Sequence, residues 1–324
     1  MGFAKFNIGL EREFILFDKF NPNKVEVKLT DNDGYFDFSP NNTSARCRRD
    51  IVLNLEQMGF EIEASHHEVS ESQHEINFKY DGAVECCDRV QIFKGAVKTI
   101  AEQHNMSATF MPKPIFGVNG SGMHANLSLF DNDGNNIFYD PETKTGLSKT
   151  AYYFIGGLLK HAKGYTAITN PIVNSYKRLV PGYEAPNYIT FSDSNRSAMI
   201  RIPATRGKAT RVEVRNVDPT ANPYLAMAAL LAAGLDGIEN KINPGQPNSE
   251  NLFKISDERR KELGIEFLPK SLISAISALE KDSLMEEVLG EHTYANFIEN
   301  KRLEYAEYHR EVHDWEIKKY IQKY

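Results

Sequence analysis

The run Gly9-Leu10-Glu11-Arg12-Glu13-Phe14-Ile15-Leu16-Phe17 sets two carboxylates two residues apart in an otherwise strand-like, apolar segment. Side chains alternate faces along a strand, so Glu11 and Glu13 project together, in line with Ile15 and Phe17, while Leu10, Phe14 and Leu16 take the other face. Neither face reads as plain solvated surface. Two acids on a largely buried strand repel one another and lose hydration unless a cation sits between them. The run therefore demands a sheet with one face in a core and the other around a positive ion.

Other segments repeat the pattern. In Met123-His124-Ala125-Asn126-Leu127-Ser128-Leu129 the polar face holds His124, Asn126 and Ser128, and in Arg211-Val212-Glu213-Val214-Arg215 it holds Arg, Glu, Arg. Glu75, Asn77 and Lys79 align likewise, and Glu68 lies just upstream in Ser65-His66-His67-Glu68. Any one of these alone fits a half-solvated antiparallel strand. Together they carry Glu, His and Arg where exposed strands carry Thr, Lys and Ser. Carboxylates with a single imidazole suit Mg²⁺ or Mn²⁺ better than zinc, and neighbouring arginines suit a phosphate-bearing anion.

The first stretch to about Phe38 reads as strands broken by turns, and Asp50 to Met58 as a helix closed by Gly59. Phe60–Ala64 and His74–Phe78 alternate as strands, and Val84 to about His104 is an amphipathic helix. Lys149 to Ala162 reads as helical, and Asn222-Pro223 caps a helix to about Gly237. Asn240 to Asn251 is a loop, and from Ser256 the chain is helical and charged with no further strand signal. Strands and helices mix without regular alternation, so the fold class is α+β.

Asn119-Gly120-Ser121-Gly122 is either a plain turn or, directly before the His124 strand, a place where backbone approaches a ligand. Tyr176 to Pro186 is a loop with two prolines and a glycine; carrying Arg178 and Glu184, it fits a lid over a site. His67-Glu68-Val69-Ser70-Glu71 begins like a zinc-protease helix but has Glu where the second His belongs, and no P-loop occurs.

A net charge of −6 and a pI of about 5.9 do not suggest a phosphate-backbone binder, so no nucleic-acid partner is expected. The three cysteines, Cys47, Cys86 and Cys87, have no metal-ligand spacing and suit a reducing cytosol. Met1 to Phe6 lacks the apolar core of a signal peptide. The most apolar helical run, Tyr224 to Leu235, is about a dozen residues, too short to cross a bilayer. A cytoplasmic protein without a membrane partner is expected.

Longer motifs join these segments: Glu63-Ala64-Ser65-His66-His67-Glu68, Gln73-His74-Glu75, Phe110-Met111-Pro112-Lys113-Pro114, Asn174-Ser175-Tyr176-Lys177-Arg178, Asn195-Arg196-Ser197 and Pro223-Tyr224. With the glutamate, glycine and arginine runs above, they resemble, in order and through nearly the whole chain, the catalytic domain of type I glutamine synthetase, Gram-positive form. The resemblance implies a curved antiparallel sheet lining the active site, flanking helices, and one catalytic domain over 1–324 with a helical segment from about 252. It implies ligation of ammonia to L-glutamate at the expense of ATP, through γ-glutamyl phosphate, with two or more Mg²⁺ or Mn²⁺ ions. One ion would sit on Glu13, Glu68 and Glu75, and the other on Glu11, His124 and Glu213. Glutamate would be held by Asn119, Gly120, His124, Arg178, Glu184 and Arg215, and ATP by Glu63, Tyr80, Asn126, Ser128, Arg196, Arg201, Lys208 and Arg211. Arg196 would stabilise the transferred phosphoryl group, and Glu184 would close the site and deprotonate ammonium.

Two departures from the family pattern stand out. Its chains open with a small β-grasp domain that completes the neighbouring subunit's site and helps build a dodecamer, whereas this sequence opens shortly before Glu11; little glutamine synthesis and no normal dodecamer are expected of it alone. Ser70-Glu71-Ser72 adds a carboxylate expected to perturb the metal loop. The alternatives are a non-ligase paralogue binding metabolites or partners, and a ligase of the same fold using another amine.

Overall fold

A computed structural model describes residues 2–24, 26–38, 42–193, 197–252 and 255–324. Its spine is one long strand, β1 (Lys5–Asp18), whose core-facing residues Ile8, Leu10, Phe14 and Leu16 are buried. Around it the chain forms β2 (Ile62–His67), β3 (Gln73–Phe78), β4 (Asp81–Gly82), β5 (Met106–Thr109) and β6 (Met123–Phe130), with helices α1 (Thr43–Gln57) and α2 (Ala83–Gln103) interspersed. The second half adds α3 (Lys149–Lys160), α4 (Ala162–Thr169), α5 (Ser175–Arg178), β7 (Tyr188–Ile189), β8 (Phe191–Ser192), β9 (Ile200–Arg201), β10 (Val212–Val214) and α6 (Pro223–Glu239). It closes with α7 (Asp257–Glu262), β11 (Glu266–Phe267), α8 (Leu272–Leu279), α9 (Ser283–Leu289), α10 (Glu291–Arg310) and α11 (Asp314–Tyr320).

Among the described residues the main sheet runs β2-β3-β1-β6-β10-β9-β8, with β4 and β5 also paired to β1. Its pairings are antiparallel except β8 with β9. The register places Glu13 opposite Glu75, Glu11 opposite His124, Gly9 opposite Asn126 and Asn7 opposite Ser128. Glu213 in turn lies opposite Asn126. Because strand side chains alternate, this register gathers the polar faces onto one side of the sheet.

The other side packs on α1 and α2, through Cys47, Ile51 and Leu55 of the first and Val90, Phe93 and Val97 of the second. Each such fully buried aliphatic or aromatic side chain contributes about 1.5–3 kcal/mol. Arg12 points into this core. It is fully buried, with its guanidinium 3.7 Å from the Phe78 ring centroid and 4.7 Å from that of Phe93. Nη2 donates to the Ile76 carbonyl at 3.5 Å, and Nε and Nη1 have no hydrogen-bond partner among the described residues. Farther on, α3 packs on α6 so closely that a Cβ at Gly157 would stand 2.0 Å from the Ala233 carbonyl oxygen.

Several elements depart from the sequence-based expectations. Between β1 and α1 the described residues make an isolated bridge, Phe17 with Leu29, and otherwise run as a strap fastened by Asp31. Helix α1 starts at Thr43 rather than Asp50 because the Asn42 side chain caps it, accepting from the Ser44 amide at 2.8 Å. The helix from Lys149 breaks at His161, the loop from Tyr176 opens with the short α5, and β11 pairs with β7 inside the stretch expected to be wholly helical. Among the described residues no helix is long and apolar enough to cross a membrane.

Candidate active site

Glu11, His124 and Glu213 converge from β1, β6 and β10, with one ligand atom of each within 4.8 Å of the others. His124 Nδ1 lies 3.4 Å from Glu11 Oε2 and 3.5 Å from Glu213 Oε1. Glu213 is fully buried and accepts from Arg215 Nη1 at 2.6 Å and from Arg201 Nε. Asn126 donates to Glu11 Oε1 at 2.9 Å and accepts from Arg211 Nε at 2.9 Å. Burial would raise the Glu11 carboxyl, but His124 and Asn126 hold it down to about 2.

A second cluster lies on the β3 side. Here Glu68 and Glu75 flank His66, whose Nδ1 is 3.3 Å from Glu68 Oε1 and whose Nε2 is 3.4 Å from Glu75 Oε1. The Phe36 ring stacks on His66 at 4.5 Å. Glu13, opposite Glu75, accepts from the Gly122 amide and from Gln73 Nε2, each at 2.9 Å, leaving Oε1 3.8 Å from His124 Nε2. Burial, compounded by the Glu13 and Glu75 charges, pushes Glu68 up to about 9, and burial also raises Glu13. Crowded carboxylates with one imidazole per cluster are the oxygen-rich donor set of hard divalent cations.

Between the clusters opens a cavity of about 250 Å³, bordered by Tyr35, Glu184, Arg201 and Arg215. A recess of about 30 Å³ extends it past Asn119, Gly120 and Arg178. Arg178 is buried and fixed by the Asn216 carbonyl, 3.0 Å from Nη1, and the Arg215 carbonyl, 3.1 Å from Nη2. A Cβ at Gly122 would fall 2.5 Å from Arg178 Nη2 and 3.0 Å from His124 Nε2, so the turn requires glycine there. On the other side of Glu11 a cleft of about 310 Å³ runs along Gly9 and Asn7, walled by Glu63, Tyr80, Ser128, Lys208 and Arg211.

The family profile described as glutamine synthetase, catalytic domain, matches residues 1–320. The chain belongs to the glutamine synthetase family. It is 53% identical over all its 324 residues to the glutamine synthetase of Staphylococcus aureus strain MW2, of which it spans 72%. To that of Staphylococcus epidermidis it is 54% identical, over the same share. Two solved structures of GmaS, an ADP complex and an apo form, superpose with TM-scores of 0.88 and 0.83 at 37% identity. Each covers 98% of this chain, and the match takes in 73% and 72% of the respective GmaS chains. The fold is therefore the glutamine synthetase type.

Of the residues singled out from the sequence, those expected on metal, glutamate and ATP line these three adjoining spaces, except Glu213, which is fully buried beside His124, and Arg196, which lies outside the described residues. His124 lies near both carboxylates of the strand, 3.4 Å from Glu11 and 3.8 Å from Glu13; Glu11 joins the cluster with Glu213, while Glu13 stands opposite Glu75 in the register. Glu71 does not intrude on the metal loop. It is exposed, because Ser72, at φ +57°, turns and donates its amide to Asp31 Oδ1 at 2.7 Å.

Three contributors were missed. His66 and Gln73 sit two residues before Glu68 and Glu75, so the two-residue rule that aligned Glu11 with Glu13 would have placed both on the site face. Gln73 Nε2 ties Glu13 to the Gly120 carbonyl at 3.1 Å. Tyr35 arrives on the strap after β1, and no periodicity marks it.

Proposed function

We propose that the chain ligates ammonia to L-glutamate, consuming ATP and giving L-glutamine through γ-glutamyl phosphate. The observation that carries this is the division of one strand face, with Glu11 turned to the cluster beside the long cleft and Glu13 to the cluster beside the arginine recess. A nucleotide cleft and an amino-acid recess meeting at two cation-binding clusters is the layout that phosphoryl transfer to a carboxylate requires.

Glu13, Glu68 and Glu75 would hold one Mg²⁺ or Mn²⁺, and Glu11, His124 and Glu213 another. Such ions, when bound, neutralise charge on the phosphates and the accepting carboxylate. The chain's own groups do the rest. Arg178 and Arg215, with Asn119 and Gly120, orient glutamate, and forked guanidinium donors match its α-carboxylate. Glu63, Tyr80, Asn126, Ser128, Arg201, Lys208 and Arg211 align ATP, and Arg196, as the family resemblance implies, would stabilise the transferred phosphoryl group. Glu184 accepts the proton of ammonium and closes the cavity against water. We assign 1–324 to one catalytic domain, acting in the cytoplasm and in a homo-oligomer.

The test is ADP release and glutamine formation with glutamate, Mg²⁺, ATP and ammonium, against alkylamines in place of ammonium. Ammonium-dependent turnover that alkylamines do not replace, weak in this chain alone and abolished in Glu184→Ala, is expected. Turnover with alkylamines alone would contradict the assignment of ammonia.

A further inference from the structure

We propose that Asp31 is a positioning residue for the metal centre: its one carboxylate grips both ends of the loop that carries Glu68 and so presets that ligand; this rests on the cation reading above. Oδ1 accepts from His67 Nε2 at 2.9 Å, on the residue before Glu68, and from the Ser72 amide at 2.7 Å, at the loop's far end. Ser72 returns the grip, its Oγ accepting from the Thr30 amide at 2.9 Å and the Asp31 amide at 3.0 Å. Both ends of residues 67–72 are thereby tied through one side chain of the strap.

Asp31, His67 and His74 bring ligand atoms within 4.8 Å of one another, yet the trio does not suit a cation. A guanidinium only donates, so Arg48 Nη1, 2.9 Å from His74 Nδ1, puts the ring proton on Nε2, which faces Asp31 Oδ2 from 4.0 Å. Ser44 Oγ also donates to Oδ2, so the carboxylate meets donors on both oxygens. Its side chain is 5% exposed, and charge-assisted bonds act there with little competition from water.

The grip reaches the ligand residue itself, because His67 Nδ1 lies 2.7 Å from the Glu68 carbonyl. Ser72 sits at φ +57°, a conformation costly for serine, and the bond to Asp31 holds it there. Farther along the strap the Phe36 amide donates to the His67 carbonyl at 3.0 Å, and the Phe36 ring covers His66. A loop ordered in advance spares an incoming cation the cost of ordering it.

Mn²⁺ binding to the unaltered chain and to Asp31→Asn is titrated by electron paramagnetic resonance, with folding followed by circular dichroism. The substitution keeps the shape but removes the charge and leaves one acceptor oxygen for the His67, Ser72 and Ser44 donors. One of the two ions should bind about tenfold more weakly, and the other should stay within about twofold. Equal weakening of both ions would reduce Asp31 to a general support of the fold, and no weakening would free the loop from it; either result overturns the proposal and leaves the cation reading standing. If Asp31→Asn does not fold, hydrogen exchange at the Ser72 amide of the unaltered chain decides. That amide should exchange slowly before Mn²⁺ is added, and fast exchange that slows only with Mn²⁺ overturns the proposal. Failure of the unaltered chain to bind Mn²⁺ overturns both readings.

Discussion

The Lys113 ammonium lies 3.5 Å above the centroid of the Tyr183 ring, one residue before Glu184. Its Nζ also donates to the Val118 carbonyl, and its backbone exchanges hydrogen bonds with the Asn174 side chain at 2.8 and 2.9 Å. Lys113 thus pins the Glu184 loop to the glycine turn and to the segment entering α5. Lys113→Met removes a cation–π contact of about 1–2 kcal/mol. The loosened loop should admit water to the acyl phosphate. The expected result is about a fivefold rise in phosphate released per glutamine formed, with ADP affinity unchanged. An unaltered ratio would mean this contact does not hold the loop.

Metal binding should expel a proton. Burial first, then the Glu13 and Glu75 charges, raise Glu68 to about 9, so at neutral pH the metal-free side chain is protonated. A cation binds the carboxylate form, so affinity should climb with pH between neutrality and about 9. The sign for stability is the reverse: a raised carboxyl destabilises the metal-free fold progressively as pH rises from its unfolded value, about 4.3, to about 9. Mn²⁺ titrations in buffers of different ionisation enthalpy should reveal close to one proton released. A heat independent of buffer would contradict this.

Arg12→Met should leave the fold unharmed or strengthen it. The guanidinium is fully buried; among the described residues its aromatic stacking and one carbonyl touch it, and the Glu75 and Glu11 charges favour it only from a distance, so the loss of water is weakly offset. Replacing such a group by an apolar one of similar volume changes stability by about 0 to +4 kcal/mol. Urea unfolding of the metal-free protein measures it, and a large loss would show that Arg12 is well paired.

His161 staples three helical segments, with Nδ1 2.8 Å from Asp282 and Nε2 3.0 Å from Asp236, which also meets Lys160 at 2.8 Å. Burial pulls its pKa down, but the two aspartates outweigh this and raise it. A raised histidine contributes stability that is complete below its unfolded pKa, about 6.5, and is lost as pH rises through the folded value. His161→Gln should flatten that part of the melting-temperature profile. A profile of unchanged shape would remove His161 from the account.

The period-two alternation of Glu11/Glu13, His124/Asn126/Ser128 and Arg211/Glu213/Arg215 made the site face legible before any coordinates, because a strand's geometry is local. What period two does not encode is register. That Glu13 would face Glu75 while Glu11 faced His124, dividing the pair, depends on non-local pairing. The strap with Tyr35 was read as strands because its fastening, Asp31 to Ser72 and His67, is likewise non-local. Arg12 was invisible for another reason, since a charged residue at a core-facing position contradicts the pattern it interrupts. β11 was lost because two residues are too few to show alternation.

The central claim, that Glu11 and Glu13 serve different ions, is tested most directly by counting bound Mn²⁺ with electron paramagnetic resonance. Two ions per chain are expected for the unaltered protein, and one each for Glu11→Gln and Glu13→Gln, with neither ion left in the double variant. Loss of both ions from either single variant, or of none, would contradict the division.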